Sequence, residues 1–350
     1  MTPTAATMTG PQPATAALPG LVLPAVRPIA TATARPGSGG TRAWGRLADL
    51  SSRLAGILRM DVLRRSTIVQ PQLLVFAANH GIADEGVSLF GQEATRHRVL
   101  ALLSGESPVQ RLASAQGIGM TVVDAGVAVP LVPPDGCPAP VPLLPRKIGY
   151  GTRNMVLRPA MSAEQAVAAM RAGMDVVRHL PGNAVLIGEA STASTASATL
   201  LLSRLCGVPL IDACGQHPDM SEDMTRHKLE KLFVVASRHR KAVRPFDALV
   251  AMGGFDLAMM AGAMIQAAGE GRLVVVDGFV ACAAALVARG LVPAMADYLV
   301  YSHLSVDPGH CLLMIHLQDR PLLDMELRIG QGAGALLAWP LIQSALQLEL

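Results

Sequence analysis

Short apolar runs recur along this chain between longer, alanine-rich stretches of helical spacing, and this alternation limits the possible folds more than any other feature. Leu73–Ala78, Met120–Asp124, Ala184–Ile187, Ala248–Met252 and Leu273–Val276 have the length and unbroken apolarity of strands buried on both faces. The spacing predicts helices over Gln92–Gln116, Ser162–His179, Thr195–Leu205, Thr225–Ser237, Phe255–Ala268 and Cys282–Ala288, and an earlier one over Trp44–Arg59 from Leu47, Leu50, Leu54 and Ile57. Strand alternating with helix implies a parallel sheet covered on both sides. The expected class is therefore α/β, a Rossmann-like, mainly parallel sheet with helices on both faces. Ligands of such sheets bind beyond the carboxyl ends of the strands.

The most apolar region, Ala248–Ala268, is interrupted by Gly253, Gly254 and Asp256, and Asp277 follows the next run. An acid in a bilayer is costly, so these segments read as the interior of a soluble protein rather than as membrane spans. Residues 1–45 hold Arg27, Arg35 and Arg42 and no acid; the net charge of +3 lies there, and the rest balances. No basic stripe marks a nucleic-acid binder. Five dispersed cysteines, Cys137, Cys206, Cys214, Cys282 and Cys311, form no CxxC pair. They read as buried free thiols in a reducing compartment, the cytoplasm, and not as a disulfide framework or metal site. Residues 1–40, rich in Ala, Thr, Pro and Gly, read as a disordered extension. The Pro-rich stretch 129–145 reads as an irregular excursion. No Gly-x-Gly-x-x-Gly opens the first strand–helix unit, which argues against a nicotinamide-dependent oxidoreductase.

The first apolar run ends in Asn79-His80-Gly81, followed by Asp84, Glu85, Ser88, Gln92 and Glu93. This density of polar groups after a strand marks a candidate site. The block Val-Phe-Ala-Ala-Asn-His-Gly-Ile-Ala-Asp-Glu-Gly-Val-Ser from Val75 resembles the signature of nicotinate-nucleotide:dimethylbenzimidazole phosphoribosyltransferases. Further blocks resemble the same family in its order: Lys147–Asn154, Pro159–Ser162, Ile187–Ala190, Met252–Ala263, Val276–Val280, Asp307–His310 and Pro321–Ala335. The likeness extends from about Trp44 to Leu346.

The resemblance implies a large α/β domain over 66–338 and a small helical domain built from 41–65 and 339–350. It also implies a site near the interface of a homodimer. The implied reaction transfers the phosphoribosyl group of nicotinate mononucleotide to 5,6-dimethylbenzimidazole or a related base, giving an α-ribazole phosphate and nicotinate. The pyridinium leaving group is already cationic, so no metal or other cofactor is expected. The protein has to position two rings, hold a phosphate and remove the N–H proton of the acceptor. A general base typically contributes about 10²–10⁴-fold, and a carboxylate near the sugar stabilises its oxocarbenium character.

Carried over residue by residue, the resemblance places Gln331 at the position of the family's catalytic glutamate and makes Glu189 a second carboxylate beside the ribose. Ser88, Gln92, Ile329 and His80 are implied to bind the base. Ser191, Thr192, Ser194, Thr195, Lys228, Gly253 and Gly254 are implied to bind phosphate or ribose. Several positions depart from the family pattern. Gln331 cannot accept a proton at neutral pH. Ser191 and Ala193 replace two glycines of the phosphate loop, so the loop is expected to adopt φ > 0 less readily. A Ser/Thr cap on an Ala-rich helix is the alternative reading of 191–195. Gly215-Gln-His-Pro-Asp replaces a segment containing arginine, with Pro218 stiffening the turn. Asn79 replaces an aspartate. The alternative function is a non-catalytic paralogue that binds the nucleotide or base, or pairs as a heterodimer with an active family member.

Overall fold

The computed structural model describes residues 18–29, 41–58, 67–105, 107–132 and 141–348. Six strands form one sheet in the order β3-β2-β1-β4-β5-β6, every neighbouring pair parallel. They are β1 (Gln72–Ala78), β2 (Gly119–Gly126), β3 (Leu143–Pro145), β4 (Ala184–Glu189), β5 (Leu273–Val276) and β6 (Leu299–Tyr301). Two short strands, β7 (His303–Ser305) and β8 (Leu323–Leu327), pair apart from it. The order reverses direction between β1 and β4, so a crevice opens beyond the carboxyl ends of those two strands. β1 is buried from Leu73 to Ala78, as its unbroken apolar run requires.

Two expected elements differ. Ala248–Met252 is not a strand; it lies in the helix Pro245–Met252. A short buried apolar run has the same composition in either state, and here Pro245 at the first helical position, followed by good helix formers, decides the matter. The stretch Gln92–Gln116 is two helices, Glu93–Leu103 and Pro108–Ala115, with a left-handed Gly105 between them. Pro108 has no N–H to continue the first helix, and the Ser107 hydroxyl accepts the Val109 N–H to cap the second.

The helix Phe255–Gly269 is buried through Ala268 and packs on the helix Ala163–Arg178. A Cβ on Gly173 would collide with the Met259 carbonyl oxygen, so the two backbones touch where no side chain fits. This close crossing seats Asp256, in the first turn of its helix, under the crevice. The helix Arg46–Leu58 packs on the C-terminal helix Ala333–Ala345.

Within the expected extension, residues 18–29 lie on the body of the protein: the Ile29 N–H donates to Asp297 Oδ2 at 2.9 Å and Tyr298 Oη donates to the Arg27 carbonyl. The rest of residues 1–40 lies outside the described residues, as do 133–140 of the Pro-rich stretch, including Cys137; that stretch is not irregular to its end, because Leu143–Pro145 pairs with β2 as β3. Of the other cysteines, Cys214 and Cys282 are buried, Cys206 is half-buried and Cys311 is exposed, so burial is not general among them.

Candidate active site

The crevice between β1 and β4 opens into a cavity of about 360 Å³. Loops leaving several strands, and the turn before the C-terminal helix, contribute its walls. Ser88, Leu89 and Phe90 come from the segment after β1, and Arg98 from the helix that follows. The Arg98 guanidinium lies 5.1 Å from the Phe90 ring centroid and donates to the Ser191 carbonyl at 3.0 Å. The turn after β4 brings Glu189, Ser191, Thr192, Ser194 and Thr195; Lys228 enters from the helix Glu222–Arg238. Asp277 and Phe279 follow β5, and His303 opens β7. Ile329 and Gln331 complete the rim.

Nine of the residues singled out in the sequence therefore share one cavity: Ser88, Glu189, Ser191, Thr192, Ser194, Thr195, Lys228, Ile329 and Gln331. Four do not line it. Gln92 is in the wall, its amide donating to Asp84 Oδ1 at 2.7 Å and its carbonyl accepting from Asn79 Nδ2 at 2.8 Å. His80 is fully buried behind the wall. Gly253 and Gly254 lie with it: a Cβ on Gly254 would collide with His80 Cε1, so Gly254 makes room for the ring. Asn79 uses both poles of its amide, since Oδ1 also accepts the Ala128 N–H at 2.8 Å. A carboxylate there could not donate to Gln92.

The 188–195 turn keeps a left-handed residue without glycine. Ala193 has φ 62°, despite the expectation that the loss of glycines would disfavour such a conformation. It precedes the helix Ser194–Cys206 and supplies no side-chain cap, so the alternative reading of a Ser/Thr cap is not met. Three of the hydroxyls are engaged with other side chains instead. Ser191 Oγ donates to Asp256 Oδ2 at 2.5 Å, Thr192 Oγ1 accepts from Thr95 Oγ1 at 3.1 Å, and Ser194 Oγ donates to Glu189 Oε1 at 2.9 Å.

Glu189 is the centre of this arrangement. Its Oε2 also accepts the Ser191 N–H, and its backbone carbonyl accepts the Gln331 N–H at 2.9 Å. Burial and the nearby Asp256 carboxylate push the Glu189 carboxyl up to about 7, against the Ser191 N–H, the Ser194 hydroxyl and the Arg98 cation, which favour its charged form. A carboxyl titrating near neutrality can both hold and accept a proton at working pH. Gln331 itself is left-handed at φ 67° and accepts from Ser107 Oγ at 3.5 Å. Lys228 is buried against the cavity and has no hydrogen-bond or ion-pair partner among the described residues, which leaves a cation for a ligand anion. Across the mouth, Arg328 pairs with Asp219 in the loop that carries Pro218.

Sequence reasoning passed over Asp256, Asp277, Arg98 and His303. Asp277 directly follows the apolar run of β5 and could have been found by the strand-end rule alone. Arg98 sits on a helix face with no distinguishing pattern.

Among the described residues no group of His, Cys, Asp and Glu is arranged to hold a metal ion, and no helix is long and apolar enough to cross a membrane. A family model described as phosphoribosyltransferase matches residues 29–349. The chain is 42% identical over 303 residues to the nicotinate-nucleotide–dimethylbenzimidazole phosphoribosyltransferase of Variovorax paradoxus (strain S110), covering 87% of this chain and 84% of that one. It is 41% identical over 327 residues to the enzyme of the same name from Cupriavidus taiwanensis, covering 92% and 91%. The crystal structure of CobT from Thermus thermophilus superposes with a TM-score of 0.80 at 32% identity, covering 89% of this chain and 91% of that one. The fold, the cavity at the strand-order reversal and these likenesses agree: this chain belongs to the nicotinate-nucleotide:dimethylbenzimidazole phosphoribosyltransferase family.

Proposed function

We propose that the protein transfers the phosphoribosyl group of nicotinate mononucleotide to 5,6-dimethylbenzimidazole or a related base, with Glu189 as the general base. The observation that carries this reading is a carboxyl lifted to about 7 in one cavity with the unpartnered Lys228. The relatives named above support the choice of substrates.

In the proposed reaction Lys228 holds the phosphate, together with the uncapped first turn of the helix Ser194–Cys206. Ile329 and Ser88 bound the acceptor ring. A lone pair of one acceptor nitrogen attacks the anomeric carbon from the face opposite nicotinate. The bond to the pyridinium nitrogen breaks, its electron pair returns to that ring, and nicotinate leaves with its ring neutral and its carboxylate still charged. The N–H proton on the other acceptor nitrogen passes to Glu189. Gln331 orients the acceptor through its amide and takes no proton.

The protein is further proposed to work in the cytoplasm as a homodimer, the assembly that the family resemblance implies. We also divide the chain into a large α/β domain over 66–338 and a small helical domain from 41–65 and 339–350. The packing of Arg46–Leu58 on Ala333–Ala345 supports that division.

The test is an assay of the purified protein with nicotinate mononucleotide and a panel of benzimidazoles, following nicotinate and the riboside phosphate together. Equal amounts of both are expected, with kcat/KM rising to a plateau as pH passes through about 7, where Glu189 loses its proton. Glu189→Gln is expected to lower kcat by about 10²–10⁴-fold and to flatten the acid limb. Absence of nicotinate release with every base overturns the reading.

A further inference from the structure

The Glu189 turn rests on a pair of buried charges that the reaction does not touch. His80 Nε2 lies 3.1 Å from each carboxylate oxygen of Asp256, and neither residue has exposed surface. The other ring nitrogen of His80 meets Ser197 Oγ at 3.1 Å, and that hydroxyl donates its one proton to the Gly253 carbonyl at 3.3 Å. With that proton on the carbonyl, Ser197 is an acceptor for His80, and both ring nitrogens face acceptors, as an imidazolium opposite a carboxylate requires. Burial alone would lower the imidazole, but Asp256, by charge and hydrogen bond, with a smaller contribution from Glu189, leaves its pKa raised. Burial would raise the Asp256 carboxyl, but His80, the Ser191 hydroxyl and the Leu257 N–H leave it lowered.

Ser191 is the residue that joins this pair to the cavity. Its hydroxyl donates to Asp256 Oδ2 at 2.5 Å and accepts the Ala78 N–H, at the end of β1, at 3.0 Å. Its backbone N–H donates to the Glu189 carboxylate. The side chain is therefore fully committed to the interior while the main chain holds the reacting group. A glycine here, as the family pattern has it, would keep the contact with Glu189 and lose the two made by the hydroxyl.

We propose that Ser191 is a positioning residue: it fastens the Glu189 turn to the buried His80–Asp256 pair, and through it that pair sets where the Glu189 carboxylate sits and at what pH it accepts a proton. This rests on the reading of Glu189 as the base. The titratable and charged groups around Glu189 are Asp256 from the helix Phe255–Gly269, Arg98 from the helix Glu93–Leu103 and His80 after β1, with His217, Asp219, Lys228, Asp277, His303, Asp307 and Arg328 elsewhere on the cavity wall. Of these, Asp256 opposes ionisation of Glu189, while Arg98 and a protonated His80 favour it, burial being the largest influence. Freed from its anchor, the turn moves away from Asp256 and admits water, and both changes ease ionisation of Glu189.

The experiment compares pH profiles of kcat/KM for the wild-type protein, Ser191→Ala, Ser191→Thr and Glu189→Gln, with nicotinate mononucleotide and dimethylbenzimidazole. For Ser191→Ala the acid limb is expected to move to lower pH by at least about half a unit. Its kcat should fall about tenfold with KM for the nucleotide little changed. Ser191→Thr, which keeps the hydroxyl, should return the limb towards its wild-type position. A slower Ser191→Ala with an unmoved acid limb overturns the proposal, because a serine that only fills space would behave so. Should Glu189→Gln retain the wild-type rate and limb, the base reading itself fails. Nitrogen-15 NMR of the histidine-labelled wild-type protein requires no variant: His80 is expected with both ring nitrogens protonated at pH 7, and a neutral ring there also overturns the proposal.

Discussion

The Asp277 carboxylate holds the turn that carries Gln331, accepting the Gly332 N–H on Oδ2 at 2.9 Å. Its Oδ1 accepts the Ala335 N–H at 2.8 Å, so an acid at the end of β5 caps a helix more than fifty residues away in sequence. Gly332 supplies no side-chain cap of its own. The first turn of the C-terminal helix, and with it Gln331, is therefore set by the sheet and not by local sequence.

Asp277→Ala should consequently lower unfolding stability by about 3 kcal/mol, since it leaves two buried N–H groups without acceptors. Asp277→Asn, which retains one acceptor, should lose roughly half of that. Urea unfolding followed by circular dichroism measures both. A loss under about 1 kcal/mol for the alanine variant would mean that the cap is not what holds the turn.

Ala193, at φ 62°, occupies a conformation in which its Cβ crowds the backbone. Replacing it with glycine relieves that strain, though the unfolded chain gains freedom in return. The expected balance for Ala193→Gly is a gain of about 0.5–1 kcal/mol, read as a higher urea midpoint at unchanged slope. A lower midpoint would show that the methyl group packs well enough to outweigh the strain.

Lys228 is expected to contribute to binding the nucleotide more than to the chemical step. A hydrogen bond to a charged group is worth about 1.5–3 kcal/mol, so Lys228→Met should raise KM for nicotinate mononucleotide by about 10–100-fold. If kcat falls in proportion and KM stays put, the ammonium acts in the transition state instead.

The sheet was legible because its buried strands are unbroken apolar runs of the right length: Leu73–Ala78 and Leu273–Val276 reappear almost to the residue. Ala248–Met252 was not, because burial removes the polar face that distinguishes a helix from a strand. The edge strands β3 and β6 have three residues each and take their identity from their neighbours. The site divides in the same way. Motif positions placed Glu189, Lys228 and Gln331 in one cavity. What the Ser191 and Thr192 hydroxyls bond to depends on Asp256 and Thr95, which arrive from other elements. Spacing along the chain carries no trace of those encounters, so these two hydroxyls are engaged inside the protein.

Position 331 provides the sharpest test of how the chemistry is divided. The Gln331 N–H is fixed to the Glu189 carbonyl, so Gln331→Glu would put a second carboxyl into the cavity that holds the first without moving the backbone. Like charges oppose each other's ionisation, so the acid limb of kcat/KM should lie higher than in the wild-type protein, where it is expected near the Glu189 carboxyl at about 7. On the proposed reading of Glu189 as base, the new carboxylate adds a second acceptor for one proton, and the gain in kcat at pH 8 should stay below about tenfold. The measurement belongs at saturating nicotinate mononucleotide, where differences in phosphate binding drop out. A gain well above tenfold with the acid limb unmoved would mean that proton removal in the wild-type protein is limited by the amide at 331. Glu189 would then be a structural carboxylate of the turn, and the base would have to be sought elsewhere.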